Sequence, residues 1–112
     1  MMLTVAELPE YIREASKLLR EDERRAVVDH LAAHPRAGVL IEGTGGVRKL
    51  RWGREGRGKS GGVRVIYYFH SDDMPLYLLT LFSKGERANL TRAERNAMRE
   101  LVDVLVSIWL ER

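Results

Sequence analysis

Basic side chains are concentrated in one glycine-rich segment of this 112-residue chain, residues 48–64. The segment carries seven lysines and arginines and one acid, Glu55, which gives it a charge of +6. Because the formal charge of the whole chain is +3, all other residues together contribute −3. A localised positive field on a small domain is typical of a protein that binds a polyanion, with nucleic acid as the first candidate. The seven cations are Arg48, Lys49, Arg51, Arg54, Arg57, Lys59 and Arg64.

A phosphate-binding pattern overlaps this segment. Residues 53–60 fit GxxxxGK[ST], the P-loop pattern. A P-loop requires a helix to begin at Lys59 and Ser60, so that helix amides hold phosphate. Here two glycines and then a β-branched and aromatic run follow. We therefore interpret the glycines as a cationic hairpin loop that lets a phosphate backbone approach closely.

The composition excludes several other kinds of chemistry. The chain has no cysteine, so disulfides, thiolate catalysis and cysteine-ligated zinc are excluded. His30 and His34 have helical i, i+4 spacing, but no third ligand is near, so neither a metal site nor another cofactor is predicted. No apolar run approaches the roughly 20 residues of a membrane span, and no signal peptide is recognisable. We expect a single domain over residues 1–112 in the cytoplasm, without membrane contact.

Hydrophobic periodicity predicts two helices before the basic segment and one after it. A helical hairpin over residues 8–33 is favoured over one long helix, because residues 20–25 contain no apolar side chain to bury. Near the other end, Thr91 and Glu94 have the spacing of a capping box, which predicts a carboxyl-terminal helix.

Between the helices, β-branched and aromatic runs bounded by turn residues predict antiparallel strands. A short strand at residues 3–5 is also compatible with the sequence. The predicted fold class is α+β, with two amino-terminal helices, a three- to four-stranded twisted antiparallel sheet and a carboxyl-terminal helix. The three main strands are expected at residues 47–52, 63–70 and 76–84.

Four blocks of the chain resemble, in order, the HigB-type branch of the RelE/ParE toxin superfamily. The resemblance extends over about residues 35–100 and implies a RelE-like, microbial RNase-like fold. It also implies a toxin that cleaves messenger RNA on the ribosome and is neutralised by an antitoxin, which for this branch is a small helix-turn-helix protein similar to HigA. Operator DNA would be reached only through the antitoxin. The blocks are GTGGVRKLRW, GRGKSGGVRVIYY, LYLLTLFSKGE and LTRAER.

The resemblance also implies roles for individual residues. The family's central-strand arginine falls on Arg64, and the basic residue at the end of the next strand falls on Lys84. Lys59 matches the loop lysine of HigB-type members. The basic pair of the preceding strand falls on Lys49 and Arg51, which share a face by strand alternation. The chain departs from RelE proper after the last strand, where residues 89–91 carry no tyrosine.

These residue types suit metal-free RNA cleavage, in which a 2′-hydroxyl attacks the adjacent phosphate and negative charge builds up on its oxygens. Arg64 is the candidate for stabilising that charge, because its planar fork matches phosphate oxygens. Lys59 and Lys84 are both candidates for proton transfer, and their order is open. Lys49, Arg51, Arg48 and Arg57 are candidates for holding the RNA backbone. Trp52, Tyr68 and Phe82 are candidates for base stacking, with core packing as the alternative.

Two other functions stay open at this point. One is a ParE-like toxin that binds DNA gyrase and is not a nuclease; it would not need the basic strand positions. The other is an RNA-binding module without catalytic activity.

Overall fold

The computed structural model describes residues 3–53, 62–87 and 89–110. Over these residues the chain forms three helices and five strands, and the predicted α+β class is confirmed. The two amino-terminal helices are separate, as expected. In chain order the elements are β1 (Val5–Glu7), α1 (Pro9–Leu18), α2 (Glu21–Ala33), β2 (Val39–Leu40), β3 (Val47–Trp52), β4 (Val63–Tyr68), β5 (Leu76–Ser83) and α3 (Arg92–Leu110).

The strands form one sheet in the order β1-β5-β4-β3-β2. The antiparallel centre, β3-β4-β5, matches the predicted strands closely. The sheet nevertheless has one strand more than the three to four expected, and its β1 edge pairs in parallel with β5. The additional edge strands contain three and two residues. Segments this short carry no readable periodicity, so only tertiary pairing defines them as strands.

Helices cover both faces of the sheet. One buried cluster joins α1 and α2 to side chains such as Val65 and Tyr67 of β4, and a second joins α3 to Ile66 and Tyr68 of the same strand. All six residues of β4 are therefore buried, which explains why its sequence is apolar on both parities.

The predicted capping box opens α3. The Glu94 amide donates to Thr91 Oγ1 at 3.1 Å, and the Thr91 amide donates to Glu94 Oε1 at 2.8 Å. Two amides that the helix leaves without partners are thereby satisfied. Although α3 has 19 residues, its charged side chains rule it out as a bilayer-spanning segment, and no other helix of the described residues qualifies.

The Tyr67 hydroxyl connects the central strand to the chain that enters β2. It accepts a hydrogen bond from the Gly38 amide at 2.8 Å and donates one to the Pro35 carbonyl at 2.8 Å. A Cβ atom at Gly38 would lie 2.8 Å from Cε1 of the Tyr67 ring, so this approach requires glycine.

We expect Tyr67→Phe to lower the free energy of unfolding by about 1–3 kcal/mol, because it leaves a buried amide without a partner. Urea denaturation measures the change. Tyr68→Phe is the matched control, since among the described residues the hydrogen-bond contact of the Tyr68 hydroxyl is with Nδ1 of exposed His70, at 3.1 Å. Equal losses of unfolding free energy in the two variants would contradict a structural role for the Tyr67 hydroxyl.

Candidate functional site

The antiparallel register brings three of the predicted cations onto one face of the sheet. Arg51 of β3 lies directly opposite Arg64 of β4, and Lys49 lies opposite Ile66. Directly opposed residues of an antiparallel pair project from the same face, as do alternate residues of one strand. Lys49, Arg51 and Arg64 therefore project from the face on which Ile66 packs against the α3 cluster. We call these three residues the basic face.

Arg64 is the buried member of the basic face, with 7% of its surface exposed. Within the described part of the chain, no carboxylate lies within salt-bridge distance of its guanidinium. Arg51 stands opposite it as a second cation, and like charges in that position repel each other. A desolvated cation with a cationic neighbour is costly unless an anion compensates it. The pair is thus suited to bind an anionic group between its two guanidinium groups.

The third strand extends this face beyond Arg64. Phe82 of β5 lies opposite Arg64 on the side away from β3. Two residues later, the Lys84 amide donates to the Gly62 carbonyl at 3.0 Å, which continues the β4–β5 pairing past the end of the strand. Strand alternation therefore places exposed Lys84 on the same side as Phe82, next to the basic face.

Arg87 is a further cation at this face that the sequence analysis did not single out. Its guanidinium carbon lies 4.4 Å from the centroid of the Phe82 ring, a cation–π contact. Both carboxylate oxygens of Glu94 accept from Arg87 Nη1, at 2.5 and 2.6 Å. Glu94, which also accepts from the Thr91 amide, thus fixes Arg87 to the first turn of α3. The sequence places Arg87 three residues after Lys84, between the third and fourth of the blocks that resemble the toxin superfamily.

A second contact connects the basic face to the start of α3. Lys49 Nζ donates to Asn89 Oδ1 at 2.9 Å. Residues 89–91 contain no tyrosine, and the group that contacts the β3 lysine is the side-chain amide of Asn89. An amide does not titrate in the physiological range, and Asn89 can therefore orient Lys49 but cannot act as a general base.

The charged form of Glu94 is favoured in the folded protein. Its hydrogen bonds from Arg87, and after these the ones from Thr91, hold the pKa of the carboxyl below its usual range. A depressed folded-state pKa contributes stability above the unfolded pKa, and this contribution is lost as the pH falls through the folded value.

We therefore expect Glu94→Gln to cost about 1 kcal/mol of unfolding free energy near neutral pH, a value typical of a lost cap and an exposed ion pair. The difference from the wild type should shrink as the pH falls from the usual pKa of a glutamate through the lowered folded-state pKa of Glu94, because the wild-type carboxyl then also becomes neutral. Urea unfolding at a series of pH values measures it. Glu100→Gln, at an exposed α3 residue, is the control. A difference independent of pH would contradict this account of Glu94.

Two of the predicted site residues project from the opposite face. Arg48 follows the other strand parity, and its Nη1 donates to the backbone carbonyls of Arg36 and Gly38, at 3.3 and 2.7 Å. Trp52 packs against the cluster under α1 and α2, with its ring 5.6 Å from the ring of His30. Because the sheet separates them from the basic face, neither residue can share a ligand with Arg64.

The other two candidates for base stacking lie on the correct face but are packed. Tyr68 is 4% exposed, and burial raises the pKa of its hydroxyl, which makes the tyrosinate unfavourable. Phe82 is also 4% exposed, and Arg87 lies over its ring. Both rings therefore have packing roles in the structure, and Phe82 supports a cation.

The loop candidates Lys59 and Arg57 lie outside the described residues, as does most of the P-loop-like pattern. The strand that follows is described, and it begins at Val63. The geometry thus brings together Lys49, Arg51, Arg64 and Lys84 from the predicted set, and adds Arg87.

Two comparisons with known proteins agree with this architecture. The family described as RelE toxin of the RelE / RelB toxin-antitoxin system matches residues 30–111. A solved structure of a double arginine-to-alanine mutant of the E. coli toxin RelE, in the free state, matches with a TM-score of 0.57. The match covers 94% of this chain and 100% of that chain at 14% sequence identity, which supports the fold alone. Because the family match covers most of the sequence, the chain belongs to the RelE family of toxins, within the RelE/ParE superfamily, and its partner class is an antitoxin.

Proposed function

We propose that this toxin is a ribosome-dependent messenger RNA endonuclease of the HigB type, acting in the cytoplasm. The observation that carries the proposal is the Arg51–Arg64 pair, two opposed cations, one of them buried, without a carboxylate partner among the described residues. A scissile phosphate between the guanidinium groups would compensate this charge. A gyrase-binding toxin would have no use for the pair.

The reaction uses the RNA's own nucleophile. The 2′-oxygen forms a bond to phosphorus, the bond from phosphorus to the 5′-oxygen breaks, and the products are a 2′,3′-cyclic phosphate and a 5′-hydroxyl. Charge accumulates on the non-bridging oxygens in the transition state, where preorganised donors stabilise it most effectively. We assign this stabilisation to Arg64 and Arg51, and we assign to Lys49 the binding of an adjacent part of the backbone.

Two proton transfers complete the reaction. The 2′-hydroxyl must lose a proton, and the leaving 5′-oxygen must gain one. Lys84 is our candidate for donating to the leaving group, because it follows β5 on the side of the basic face. Lys59 remains the second candidate. Arg87, fixed by Glu94 over Phe82, adds a cation that restrains the RNA backbone.

Expression without an antitoxin tests the proposal. We expect growth to stop and transcripts to be cut within translated regions, with cuts depending on translation of the cut reading frame. The same transcript carrying a disabled start codon is the control and should stay intact. Growth arrest with intact transcripts would reject the nuclease, and loss of supercoiling by purified gyrase with purified toxin would then favour the ParE-like alternative. RNA binding without growth arrest would indicate a non-catalytic RNA-binding module.

The partner expected for this branch is a small helix-turn-helix antitoxin similar to HigA, with operator DNA contacted only through it. Acidic antitoxin segments would complement the positive field of the toxin. Co-expression with the neighbouring reading frame should restore growth if that frame encodes the antitoxin.

A further inference from the structure

A second basic surface lies beside α3. Residues 41–43, which follow β2, and one side of the first turns of α3 enclose a groove of about 420 Å³. Its charged lining consists of three arginines and one acid, Glu42, which gives a net charge of +2. We call this the α3 arginine groove, and its lining residues from α3 are Arg92, Arg95, Asn96 and Arg99.

The arginines of the groove are available to a ligand. Arg92 and Arg99 are exposed, and among the described residues neither has a carboxylate within salt-bridge distance. They differ in this from Arg13 and Arg25 of α1 and α2, which pair with neighbouring glutamates at 3.7 and 3.8 Å. Spacings of three and four residues place Arg92, Arg95 and Arg99 along one side of α3, over about 10 Å at 1.5 Å per residue.

The groove adjoins the basic face. Arg95 Nη1 donates to the Leu90 carbonyl at 3.3 Å, and the preceding residue, Asn89, accepts from Lys49. Lys49 therefore connects the basic face to the segment that leads into the groove. A polyanion held at Arg51 and Arg64 has a route towards α3 along this segment.

The chemistry of the lining favours a phosphate backbone over an acidic protein segment. Ile41 is the single apolar side chain among the lining residues, whereas protein partners usually anchor through buried aromatic or aliphatic groups. Arginine forks and the Asn96 amide are groups that commonly contact phosphate and sugar oxygens.

We propose that the α3 arginine groove binds the sugar–phosphate backbone of an RNA segment outside the scissile dinucleotide. This inference rests on the proposed function, since it assigns a second RNA contact to the same enzyme. Residues of the groove contribute to RNA affinity but do not contact the reacting phosphate.

The salt dependence of RNA binding tests the groove. The probe is a 20-nucleotide single-stranded RNA with 2′-O-methyl groups throughout, which cannot be cleaved through its 2′-oxygens. Each phosphate contact contributes about −0.7 to the slope of log K against log salt concentration. The double variant Arg92→Gln, Arg99→Gln should therefore make the slope shallower by about 1.4. The matched control is Arg13→Gln, Arg25→Gln, which removes the same charge on the other side of the sheet and should leave the slope unchanged.

Three results would overturn the inference. Equal changes in the salt slope of both double variants would mean that only the overall charge of the protein matters. An unchanged slope in both would show that the groove does not contact RNA. An unchanged RNA slope together with weaker binding of an acidic peptide, such as polyglutamate, would assign the groove to a protein partner. Thermal melting of both variants checks that they are folded.

The same protein samples are then assayed for cleavage on translating ribosomes. If the double variant has the shallower slope predicted for it but the wild type cuts no transcript, the groove is supported as an RNA contact and the nuclease is rejected. Failure of the inference and failure of the proposed function are thereby distinguishable.

Discussion

Arg64→Ala is expected to lower the rate of transcript cleavage by about 10²–10³-fold, the loss typical of removing one donor that stabilises a transition-state oxyanion. The side chain is 7% exposed and faces a second cation, so its removal relieves repulsion in the free protein. We therefore expect the variant to remain folded, with a melting temperature no lower than that of the wild type. The measurement is single-turnover cleavage on ribosomes carrying a defined transcript.

Two further variants separate charge from geometry and from position. Arg64→Lys keeps the charge but loses the planar fork, and should recover only part of the rate. Arg48→Ala removes a neighbouring cation whose side chain lies on the opposite face and contacts backbone carbonyls. Its cleavage rate should stay within a few-fold of the wild type once folding is verified. An equal loss of cleavage rate in Arg48→Ala and Arg64→Ala would show that the position of the charge is irrelevant.

Lys84→Ala is expected to lower the rate of transcript cleavage by about 10²-fold, which is the lower end of the range for general acid–base catalysis. An ammonium can donate a proton to the leaving oxygen, whereas a guanidinium holds its proton too tightly to do so. Lys84→Arg should therefore fail to restore the rate if Lys84 transfers a proton. Full activity in Lys84→Arg would instead indicate a purely electrostatic role.

Lys17→Ala provides the matched control. Lys17 is an exposed lysine of α1 that pairs with Glu14 at 3.1 Å, and its replacement should leave cleavage unchanged. If Lys84→Ala also cleaves at the wild-type rate, Lys59 becomes the remaining candidate for the proton transfer.

The central elements of the fold were predictable because each carries its own local pattern. β4 is apolar on both parities, and α3 begins at a capping box that forms as expected between Thr91 and Glu94. β1 and β2 were harder to predict because two or three residues show no period, and the parallel pairing of β1 with β5 joins segments about 70 residues apart.

Part of the site was also accessible from the sequence. Strand alternation puts Lys49 and Arg51 on one face of the sheet and Arg48 and Trp52 on the other. Applied to all four residues, this rule would have excluded Arg48 and Trp52 from the candidate site. The direct opposition of Arg51 and Arg64 depends on the register across a long glycine-rich loop, which alternation alone does not fix. The Arg87–Glu94 pair spans seven residues across a turn and a helix start, so no periodic pattern reveals it.

The Arg87–Glu94 pair also affects how the site is held together. Glu94 satisfies the Thr91 amide and Arg87 at once, so the first turn of α3 and the cation over Phe82 are positioned by one carboxylate. The Lys49–Asn89 contact makes a second connection between the sheet and the same turn. The basic face therefore depends on the correct placement of the α3 amino terminus as well as on strand register.

The central claim is that cations from neighbouring strands hold a ribose–phosphate while its own 2′-oxygen cuts the chain. The most direct measurement is the chemistry of the ends produced when purified toxin cuts a transcript on translating ribosomes. We predict a 5′-hydroxyl on one fragment and a 2′,3′-cyclic phosphate on the other, with both absent in Arg64→Ala at matched reaction times. A 5′-phosphate with a 3′-hydroxyl, or a transcript left intact by the wild type, would contradict the account.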